Sequence, residues 1–447
     1  MTMIVARHAL TDAGWQRNVA VSLDGQRIAS IAPCDAVPTV GVLLPAPGNL
    51  HSHAFQRAMA GLTEKAAGSD DFWSWRTLMY RFLDALDPDD VEAIAAGLQM
   101  EMLEAGYAAV GEFHYVHNAP GGMAYDAPAE LAGRIVAAAR ATGIGLTLLP
   151  VIYTQGGLDG RPLEGGQRRF DTPEGHFAAI LAGARDALKA LDADARLGVA
   201  PHSLRAVPAE LIREAAGEAG PKHIHVAEQV KEVEEVRAHT GTTPVSHLMD
   251  LVPLSPEWTL IHATHTSAAE LTGMAEAGVV AGLCPLTESN LGDGIFDAQT
   301  YLTAGGRLGV GSDSNVRISL VEELRTLEYS QRLARGVRNP LSAGGTSSGR
   351  TLWQAAARGS AHALARDAGT IAVGRLADLV ALDDAAISLA DLAGDAILDG
   401  HLFAGDDRAV RDVWSAGRHV VRDGQHVARE RIEPRFRATL KRLRHAL

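Results

Sequence analysis

The strongest constraint on the fold is an alternation of short apolar runs with longer helical patterns through the middle of the chain. Helical windows such as Asp89–Ala105 and Leu320–Arg335 follow these runs, which is typical of βαβ units around a parallel sheet. Eight strands favour a closed (β/α)8 TIM-like barrel over an open doubly wound sheet, and no Gly-x-Gly-x-x-Gly follows the first strand. The predicted strands are Val42–Pro45, Ala108–Phe113, Gly145–Ile152, Arg196–Ala200, Ile224–Ala227, Thr259–His262, Val279–Cys284 and Leu308–Gly311.

The two ends of the chain have a different texture, in which short alternating runs are separated by turn residues. Asp24 and Gly25 stand between two such runs near the start, and an Asp-Gly pair in that position is a strong hairpin signal. Similar alternation returns in 374–382 and 410–421. We therefore expect both ends to pair in one small β domain beside the barrel.

These patterns divide the chain into three parts. The predicted parts are a β-sandwich domain of residues 1–42 and 368–429, a barrel of residues 43–367 and a C-terminal amphipathic helix of residues 430–447. The length fits this division, because 447 residues exceed the usual size of a single hydrophobic core.

Composition excludes several functional classes. The formal charge is -13 and no run of Lys and Arg occurs, so we expect no nucleic-acid partner. Cys34 and Cys284 are the only cysteines, which excludes a disulfide framework and favours the reducing cytoplasm. We also expect neither a secretory leader nor membrane insertion, since no apolar run approaches the ~20 residues that span a bilayer.

A pair of histidines follows the first predicted strand. In an extended segment His51 and His53 point to the same side while Ser52 points away, so both imidazoles can bind one cation. Neutral imidazole suits Zn²⁺, Ni²⁺ or Fe²⁺. The alternative, two ordinary loop histidines, stays open for the pair alone.

Other polar residues end other predicted strands. His225 ends the fifth, His262 the sixth and Asp313 the eighth, and Glu228 follows close behind His225. In a (β/α)8 barrel these carboxyl ends meet at one mouth. Isolated core histidines and a helix-capping Asp explain any one of these residues well, but they explain the joint pattern poorly. Three imidazoles and a carboxylate with an open position make a catalytic zinc site.

With these markers the chain resembles the amidohydrolase superfamily. The resemblance implies that His51, His53, His225 and Asp313 bind a single divalent metal. It also implies that His262 and Glu228 transfer protons, together with the second oxygen of Asp313. The fourth predicted strand ends in Pro201-His202 with no lysine, which disfavours a binuclear centre built on a carbamylated lysine.

Several strings resemble one branch of that superfamily, the formimidoylglutamate deiminases. That resemblance implies hydrolysis of N-formimino-L-glutamate to N-formyl-L-glutamate and ammonia in histidine breakdown. It further implies one Zn²⁺ per chain, with Fe²⁺ or Ni²⁺ not excluded, and a homodimer. One departure is Asn118, where a second histidine is expected after His117. The strings are 48–57, 72–76, 112–117, 200–205 and 225–229.

An anionic small-molecule substrate requires cations and hydrogen-bond donors in the pocket. A guanidinium can bind a carboxylate through two hydrogen bonds, which suits Arg205 and, more weakly, Arg76. Arg76 can equally be a solvated helix residue, and the aromatic cluster 72–75 can be core or subunit interface. The remaining predicted substrate contacts are Gln56, Tyr115 and His202.

Two other functions remain open at this point. A deaminase acting on a nucleobase, guanine or a simple amidine shares the metal residues, but its pocket needs more stacking surface and fewer arginines. A catalytically silent barrel used as a scaffold has no physical need for every metal ligand and both proton-transfer groups.

Overall fold

Strands and helices alternate through most of the computed structural model, which describes residues 2–64, 79–342 and 344–446. The strands are β1 (Thr2–Thr11), β2 (Gly14–Asp24), β3 (Arg27–Pro33), β4 (Val40–Pro45), β5 (Gly48–Ser52), β6 (Ala109–His114), β7 (Gly145–Ile152), β8 (Arg196–Leu197), β9 (Ala200–Pro201), β10 (Lys222–Val226), β11 (Trp258–His262), β12 (Val280–Leu283), β13 (Arg307–Val310), β14 (Leu379–Leu382), β15 (Val410–Ser415), β16 (Arg418–Arg422) and β17 (Gln425–His426). The α-helices are α1 (Pro88–Glu104), α2 (Glu130–Thr142), α3 (His176–Leu188), α4 (Ala209–Gly217), α5 (Val230–Thr240), α6 (Pro244–Leu251), α7 (Ala268–Ala277), α8 (Pro285–Leu291), α9 (Ala298–Thr303), α10 (Leu320–Arg335), α11 (Ser348–Ala363), α12 (Asp395–Asp399) and α13 (Arg429–Ala446). Shorter helical turns lie at Ala54–Met59, Pro120–Gly122, Gly165–Phe170, Ile387–Leu389, Gly400–Ala404 and Asp407–Ala409.

The two ends of the chain pair in one sheet, as predicted. Its eight strands run in the order β17-β16-β15-β14-β4-β1-β2-β3. Strand β4 joins the two ends, because it pairs parallel to β1 and antiparallel to β14. The ladders of the described residues connect all eight strands in one continuous sheet.

The first predicted barrel strand was assigned to the wrong sheet. Val42–Pro45 lies within β4 of the terminal sheet, whereas β5 (Gly48–Ser52) opens the parallel strands and pairs with β6. The apolar run at 42–44 fits either sheet, while Gly-Asn-Leu-His-Ser carries no apolar pattern that marks it as a strand. His51 therefore lies inside a strand rather than after one.

The central strands form two parallel sheets. One has the order β5-β6-β7-β8, with β9 also pairing with β7, and the other has the order β10-β11-β12-β13. Isolated parallel bridges link the sheets at both junctions: Val199 with Lys222, Ser203 with His225, and Ser52 with Asp313. The carboxyl ends of the strands consequently lie on the same side.

Most of the predicted central elements are confirmed with small shifts in their ends. Gly145–Ile152 and Leu320–Arg335 coincide with β7 and α10. The fourth predicted strand is instead split into β8 and β9. Gly198 lies between them, where an added Cβ would be 2.2 Å from the Pro221 carbonyl oxygen. Strands β6, β7 and β10 to β12 are buried along their whole length, which explains their nearly continuous apolar runs.

The predicted C-terminal helix is α13, and it packs on α1. An added Cβ at Gly97 would meet the Phe436 ring at 2.3 Å, so Phe436 occupies the space that a larger residue on α1 would need. Among the described helices, none combines the length and the apolar character needed to cross a membrane.

Candidate metal and substrate site

Four donor groups from three strand ends meet at one point. One ligand atom of each residue lies within 4.8 Å of the others, for His51, His53, His225 and Asp313. The Nε2 atom of His51 lies 3.0 Å from Nε2 of His225 and 3.3 Å from Oδ1 of Asp313. His53 Nε2 lies 3.0 Å from the same Oδ1. These four residues were selected from the sequence because they lie at predicted strand ends, and the structure places them together.

Backbone pairing fixes this convergence. The Asp313 amide donates to the His51 carbonyl at 2.9 Å, and the His53 amide donates to the Asp313 carbonyl at 3.0 Å. Asp313 adopts a φ of 45°, a left-handed conformation that is uncommon for residues other than glycine and is concentrated at functional sites. The turn after β13 is therefore held in a strained shape that directs its carboxylate towards the histidines.

Two imidazoles are oriented by backbone carbonyl groups. His53 Nδ1 lies 3.0 Å from the Phe113 carbonyl oxygen, and His225 Nδ1 lies 3.1 Å from that of His202. Because a carbonyl oxygen only accepts, Nδ1 carries the proton in each ring and Nε2 presents its lone pair to the centre.

The charge states of this group fit a divalent metal. Burial lowers the pKa of His51 to about 3 and the pKa of His225 well below its usual value, so both rings are neutral. Burial raises the pKa of Asp313, but the neighbouring His51 and His53 side chains outweigh it and leave the pKa well below the ordinary range. Zn–N bonds of about 2.0–2.1 Å in a tetrahedral site put neighbouring ligand atoms about 3.3 Å apart, which agrees with the distances found.

The two predicted proton-transfer residues lie beside this group. His262 Nε2 is 3.7 Å from Glu228 Oε1 and 3.9 Å from Asp313 Oδ2. Burial lowers the pKa of His262, but the charge of Glu228 and the hydrogen bond to Glu288 outweigh it and raise the pKa well above its ordinary value. Burial is also the main reason that the pKa of Glu228 is raised.

Four of the five predicted substrate residues line the same cavity: Gln56, Tyr115, His202 and Arg205. The Gln56 amide donates to the Tyr115 hydroxyl at 2.6 Å. Nη1 of Arg205 is buried without a hydrogen-bond partner among the described residues, so the guanidinium keeps a donor for a ligand. Arg76 and the cluster 72–75 lie outside the described residues.

Three supporting residues escaped the sequence analysis. Glu288 Oε1 lies 3.2 Å from His262 Nδ1 and also accepts the Cys284 amide at 2.8 Å. Glu232 accepts the Ala227 amide at 3.1 Å and the Glu228 amide at 2.9 Å. Only the spacing of Glu232, four residues after Glu228, could have signalled its contact.

Asn315 is the third of these residues, and it ties the two sheets together beside the metal ligands. Its amide group donates to the Ser52 hydroxyl at 3.2 Å and to the His53 carbonyl at 2.9 Å. Its side-chain oxygen accepts from the Ser312 hydroxyl at 2.5 Å. Asn118, the departure noted in the sequence, donates instead to the carbonyl groups of Arg168 and Asp171 and does not line the cavity.

Comparisons with known proteins identify the family of the chain. A profile for the "Amidohydrolase family" matches residues 42–420, and one for "Formimidoylglutamate deiminase HutF, N-terminal domain" matches residues 1–39. The formimidoylglutamate deiminase of Pseudomonas aeruginosa is 51% identical in an alignment that covers 98% of each chain.

Solved structures resemble the whole fold. The crystal structure of an amidohydrolase from Brucella melitensis is 44% identical, with a TM-score of 0.94 over 99% of this chain and 100% of its own. A zinc-bound adenosine deaminase from Xanthomonas campestris is 21% identical and shares the fold, with a TM-score of 0.83 over 99% of this chain and 98% of its own. The chain therefore belongs to the amidohydrolase family and, within it, to the formimidoylglutamate deiminases, as its sequence motifs indicated.

Proposed function

We propose that the chain hydrolyses N-formimino-L-glutamate to N-formyl-L-glutamate and ammonia, a step of histidine degradation. The relative from P. aeruginosa, 51% identical over nearly the full length, supports this activity. The single structural observation that carries the proposal is the buried, unpartnered Nη1 of Arg205 in the cavity that is also lined by His53, His225 and Asp313. An anionic amidine fits such a cavity, with its carboxylate at Arg205 and its carbon near the metal ligands.

His51, His53, His225 and Asp313 would hold the metal. A divalent ion bound there supplies an acidified water, whose pKa falls to about 7 on zinc. Asp313 has a second oxygen, Oδ2, 3.9 Å from His262 Nε2. In the proposed reaction Asp313, with His262 beside it, takes the proton that the water loses as it attacks the amidine carbon.

Glu228 would complete the proton transfer. The amino group of the resulting tetrahedral carbon has to be protonated before it leaves as ammonia. Glu228 lines the cavity and lies 3.7 Å from His262 Nε2, so it can pass a proton to that nitrogen. General acid and base groups of this kind contribute about 10²- to 10⁴-fold to turnover.

Substrate recognition would use the predicted polar residues. Arg205 is proposed to bind one substrate carboxylate, with Gln56, Tyr115 and His202 as neighbouring contacts in the same cavity. Arg76 is proposed for the second carboxylate, from the same chain or from a neighbouring subunit.

The direct test is an ammonia-release assay on the purified protein. N-Formimino-L-glutamate is compared with cytosine, guanine and an uncharged formamidine, and N-formyl-L-glutamate is identified as the second product. We expect turnover of the formimino compound alone. Equal or faster release from a nucleobase would instead favour a nucleobase deaminase.

Arg205→Met tests the carboxylate contact separately. The variant leaves a substrate carboxylate desolvated without a partner, which costs roughly 2–5 kcal/mol by analogy with a truncated buried charge pair. The loss should appear in kcat/KM for N-formimino-L-glutamate and much less for the uncharged formamidine. Equal losses for both would mean that Arg205 supports the metal site or the fold.

The metal, the cellular location and the assembly are proposed as well. Zinc is the proposed metal because three neutral imidazoles and a carboxylate match its ligands, although Fe²⁺ and Ni²⁺ share this preference. A cytoplasmic location is proposed from the two unpaired cysteines, Cys34 and Cys284. A homodimer is proposed as the assembly, and light scattering of the purified protein measures it.

The two parallel sheets are proposed to act as one closed (β/α)8 barrel, since bridges link them at both junctions. The proposed division keeps the β-sandwich domain of both termini, with its later segment at 368–429, and the C-terminal helix from 430. Its first boundary moves from residue 42 to Pro45, because β4 pairs with β1 and β14.

A further inference from the structure

A second group of potential metal ligands adjoins the first. Glu228, His262 and Asp293 each bring one donor atom within 4.8 Å of the other two. We propose that these three residues form an inhibitory site for a second divalent metal ion, with Zn²⁺ as the ligand. The inhibitory part rests on the proposed function, because that function assigns the proton transfers to Glu228 and His262.

His262 is oriented as a metal ligand would be. Its Nδ1 lies 3.2 Å from Glu288 Oε1, and a carboxylate accepts the proton of that nitrogen. Nε2 then faces the side where Glu228 Oε1 lies at 3.7 Å, and it can bind a metal that displaces its proton. A histidine that donates one ring nitrogen to a carboxylate and presents the other is the usual arrangement at metal sites.

Asp293 gives an independent indication of a ligand. Its Oδ1 accepts from the Gln229 amide, but its Oδ2 is buried and has no hydrogen-bond partner among the described residues. The residue is only 3% exposed, and a buried carboxylate oxygen without a partner is costly. The Asp293 amide donates to the Glu288 carbonyl at 2.9 Å, which anchors Asp293 to the helix that orients His262.

One imidazole nitrogen and two carboxylate oxygens suit Zn²⁺. This site should bind more weakly than the four-ligand group, for two reasons. It offers three ligands rather than four. In addition, the carboxylates around His262 favour a proton on that ring, which the metal has to displace.

Occupation of the second site would stop turnover. A metal on His262 Nε2 takes the lone pair that receives the water proton, and a metal on Glu228 takes the carboxylate that passes a proton to the leaving nitrogen. Free Zn²⁺ would therefore act on the enzyme as an inhibitor that leaves the first metal in place.

The test uses the holoenzyme carrying one equivalent of Zn²⁺. Free Zn²⁺ is raised in a metal buffer, while bound zinc is measured by equilibrium dialysis and ammonia release is measured in parallel. Asp293→Asn keeps an oxygen that accepts from Gln229 but removes the second carboxyl oxygen as a metal ligand. Asp297→Asn is the matched control, because Asp297 caps α9 through the Thr300 amide at 3.0 Å and does not belong to the cluster.

We expect a second equivalent of zinc to bind and ammonia release to fall in proportion to its occupancy. Asp293→Asn should raise the free Zn²⁺ needed for both effects by about ten- to a hundredfold, whereas Asp297→Asn should leave it unchanged. Mg²⁺, which prefers oxygen ligands alone, should not inhibit. Absence of the second equivalent, or equal binding by the wild type and Asp293→Asn, overturns the proposal. An enzyme inactive on N-formimino-L-glutamate at every Zn²⁺ concentration contradicts the proposed function instead, while the dialysis still decides whether the site exists.

Discussion

Two buried clusters of charged residues lie in different parts of this molecule and differ in how fully their polar atoms are paired. The first joins the terminal sheet to the start of β8. In it Arg366 makes two hydrogen bonds of 2.9 Å to Asp378 and further bonds to Asp194 at 3.0 and 3.1 Å. Arg418 adds two hydrogen bonds of 2.8 Å to Asp194. We refer to these four residues as the junction cluster.

Pairing in the junction cluster keeps its carboxylates charged. Burial raises the pKa of Asp194, but the hydrogen bond from Arg418 and the charge of Arg366 outweigh it and leave the pKa lowered. Each nitrogen of the Arg366 guanidinium has an acceptor. Nothing in this cluster is left for a ligand, so its role is to fix the two parts of the chain together.

The site at the carboxyl ends of the strands is equally buried but incompletely paired. Arg205 Nη1, Gln56 Oε1 and Asp293 Oδ2 have no hydrogen-bond partner among the described residues. His262 and Asp313 adopt φ values of 66° and 45°, in the left-handed region that non-glycine residues rarely occupy. Burial of charge therefore does not distinguish function from structure here. The two clusters differ instead in their pairing, because only the site at the strand ends keeps polar atoms without a partner among the described residues.

The largest expected effect is the loss of turnover in Glu228→Gln. The variant cannot pass a proton to the leaving nitrogen, so kcat should fall by about 10²- to 10⁴-fold while elemental analysis still finds the metal. His262→Asn should behave in the same way. Glu235→Gln is the matched control, because Glu235 also lines the cavity without contacting His262. Wild-type turnover in Glu228→Gln would show that Glu228 takes no part in the proton transfer.

Arg366→Met should produce the next largest effect, on stability rather than activity. Breaking a buried ion pair by removing one partner costs about 3–5 kcal/mol, because Asp378 and part of Asp194 are left buried without their cation. Denaturant unfolding measures the free energy, and kcat per folded molecule should change little. Arg408→Met is the control, since that side chain is 90% exposed in its pair with Asp406. Unchanged stability in Arg366→Met would refute a structural role for the junction cluster.

The sequence predicted the parallel strands and most of the site for one reason. Buried strands are continuous apolar runs, and their carboxyl ends share one side of the molecule. Residues that are far apart in the sequence, such as His53, His225 and Asp313, therefore lie close together in the fold. Apolar runs did not predict β5, because its residues Gly48–Ser52 lack an apolar pattern. The prediction instead placed β4 in the barrel, although β4 belongs to the terminal sheet.

The supporting residues could not be predicted in this way. Glu288 and Asp293 belong to a helix and the turn after it, and their contacts with His262 and Gln229 depend on how α8 packs over the strand ends. No local pattern encodes that placement. Asn315 is close to Asp313 in sequence, but its bond to Ser52 depends on the junction between the two sheets.

Asn315→Ala should weaken metal binding by about ten- to a hundredfold, the usual cost of removing a group that orients metal ligands. The variant loses the hydrogen bonds to Ser52 and the His53 carbonyl, so the turn after β13 is no longer tied to β5. Competition with a chelator measures the affinity. Asn339→Ala is the matched control, because Asn339 has a similar φ of 56° but its side chain accepts from Arg332 instead of binding Ser52 and His53. Equal affinities in both variants would show that the hydrogen bonds of Asn315 do not support metal binding.

The smallest expected effect is that of Glu232→Gln, which tests whether the hydrogen bonds of Glu232 beside Glu228 serve catalysis. Glu232 accepts two consecutive backbone amides, those of Ala227 and Glu228, and Ala227 has a φ of 53°. Glutamine keeps one acceptor oxygen. Losing a hydrogen bond to a charged group costs about 1.5 kcal/mol, so kcat should fall about tenfold with KM nearly unchanged. Glu234→Gln, exposed on the same helix, should have no effect.

The pH dependence of stability separates this catalytic role of Glu232 from a purely structural one. Burial and the charge of Glu228 raise the pKa of Glu232 from 4.5 to about 7. A carboxyl with a raised pKa in the folded state contributes stability below pH 4.5, and that contribution is lost as the pH rises through 7. Denaturant unfolding should show this decline in the wild type and a smaller one in Glu232→Gln. At pH 8 the variant should then be no less stable than the wild type and yet turn over more slowly, which a loss of folding cannot explain. If kcat instead falls together with the free energy of unfolding at every pH, the role of Glu232 is structural, like that of the junction cluster.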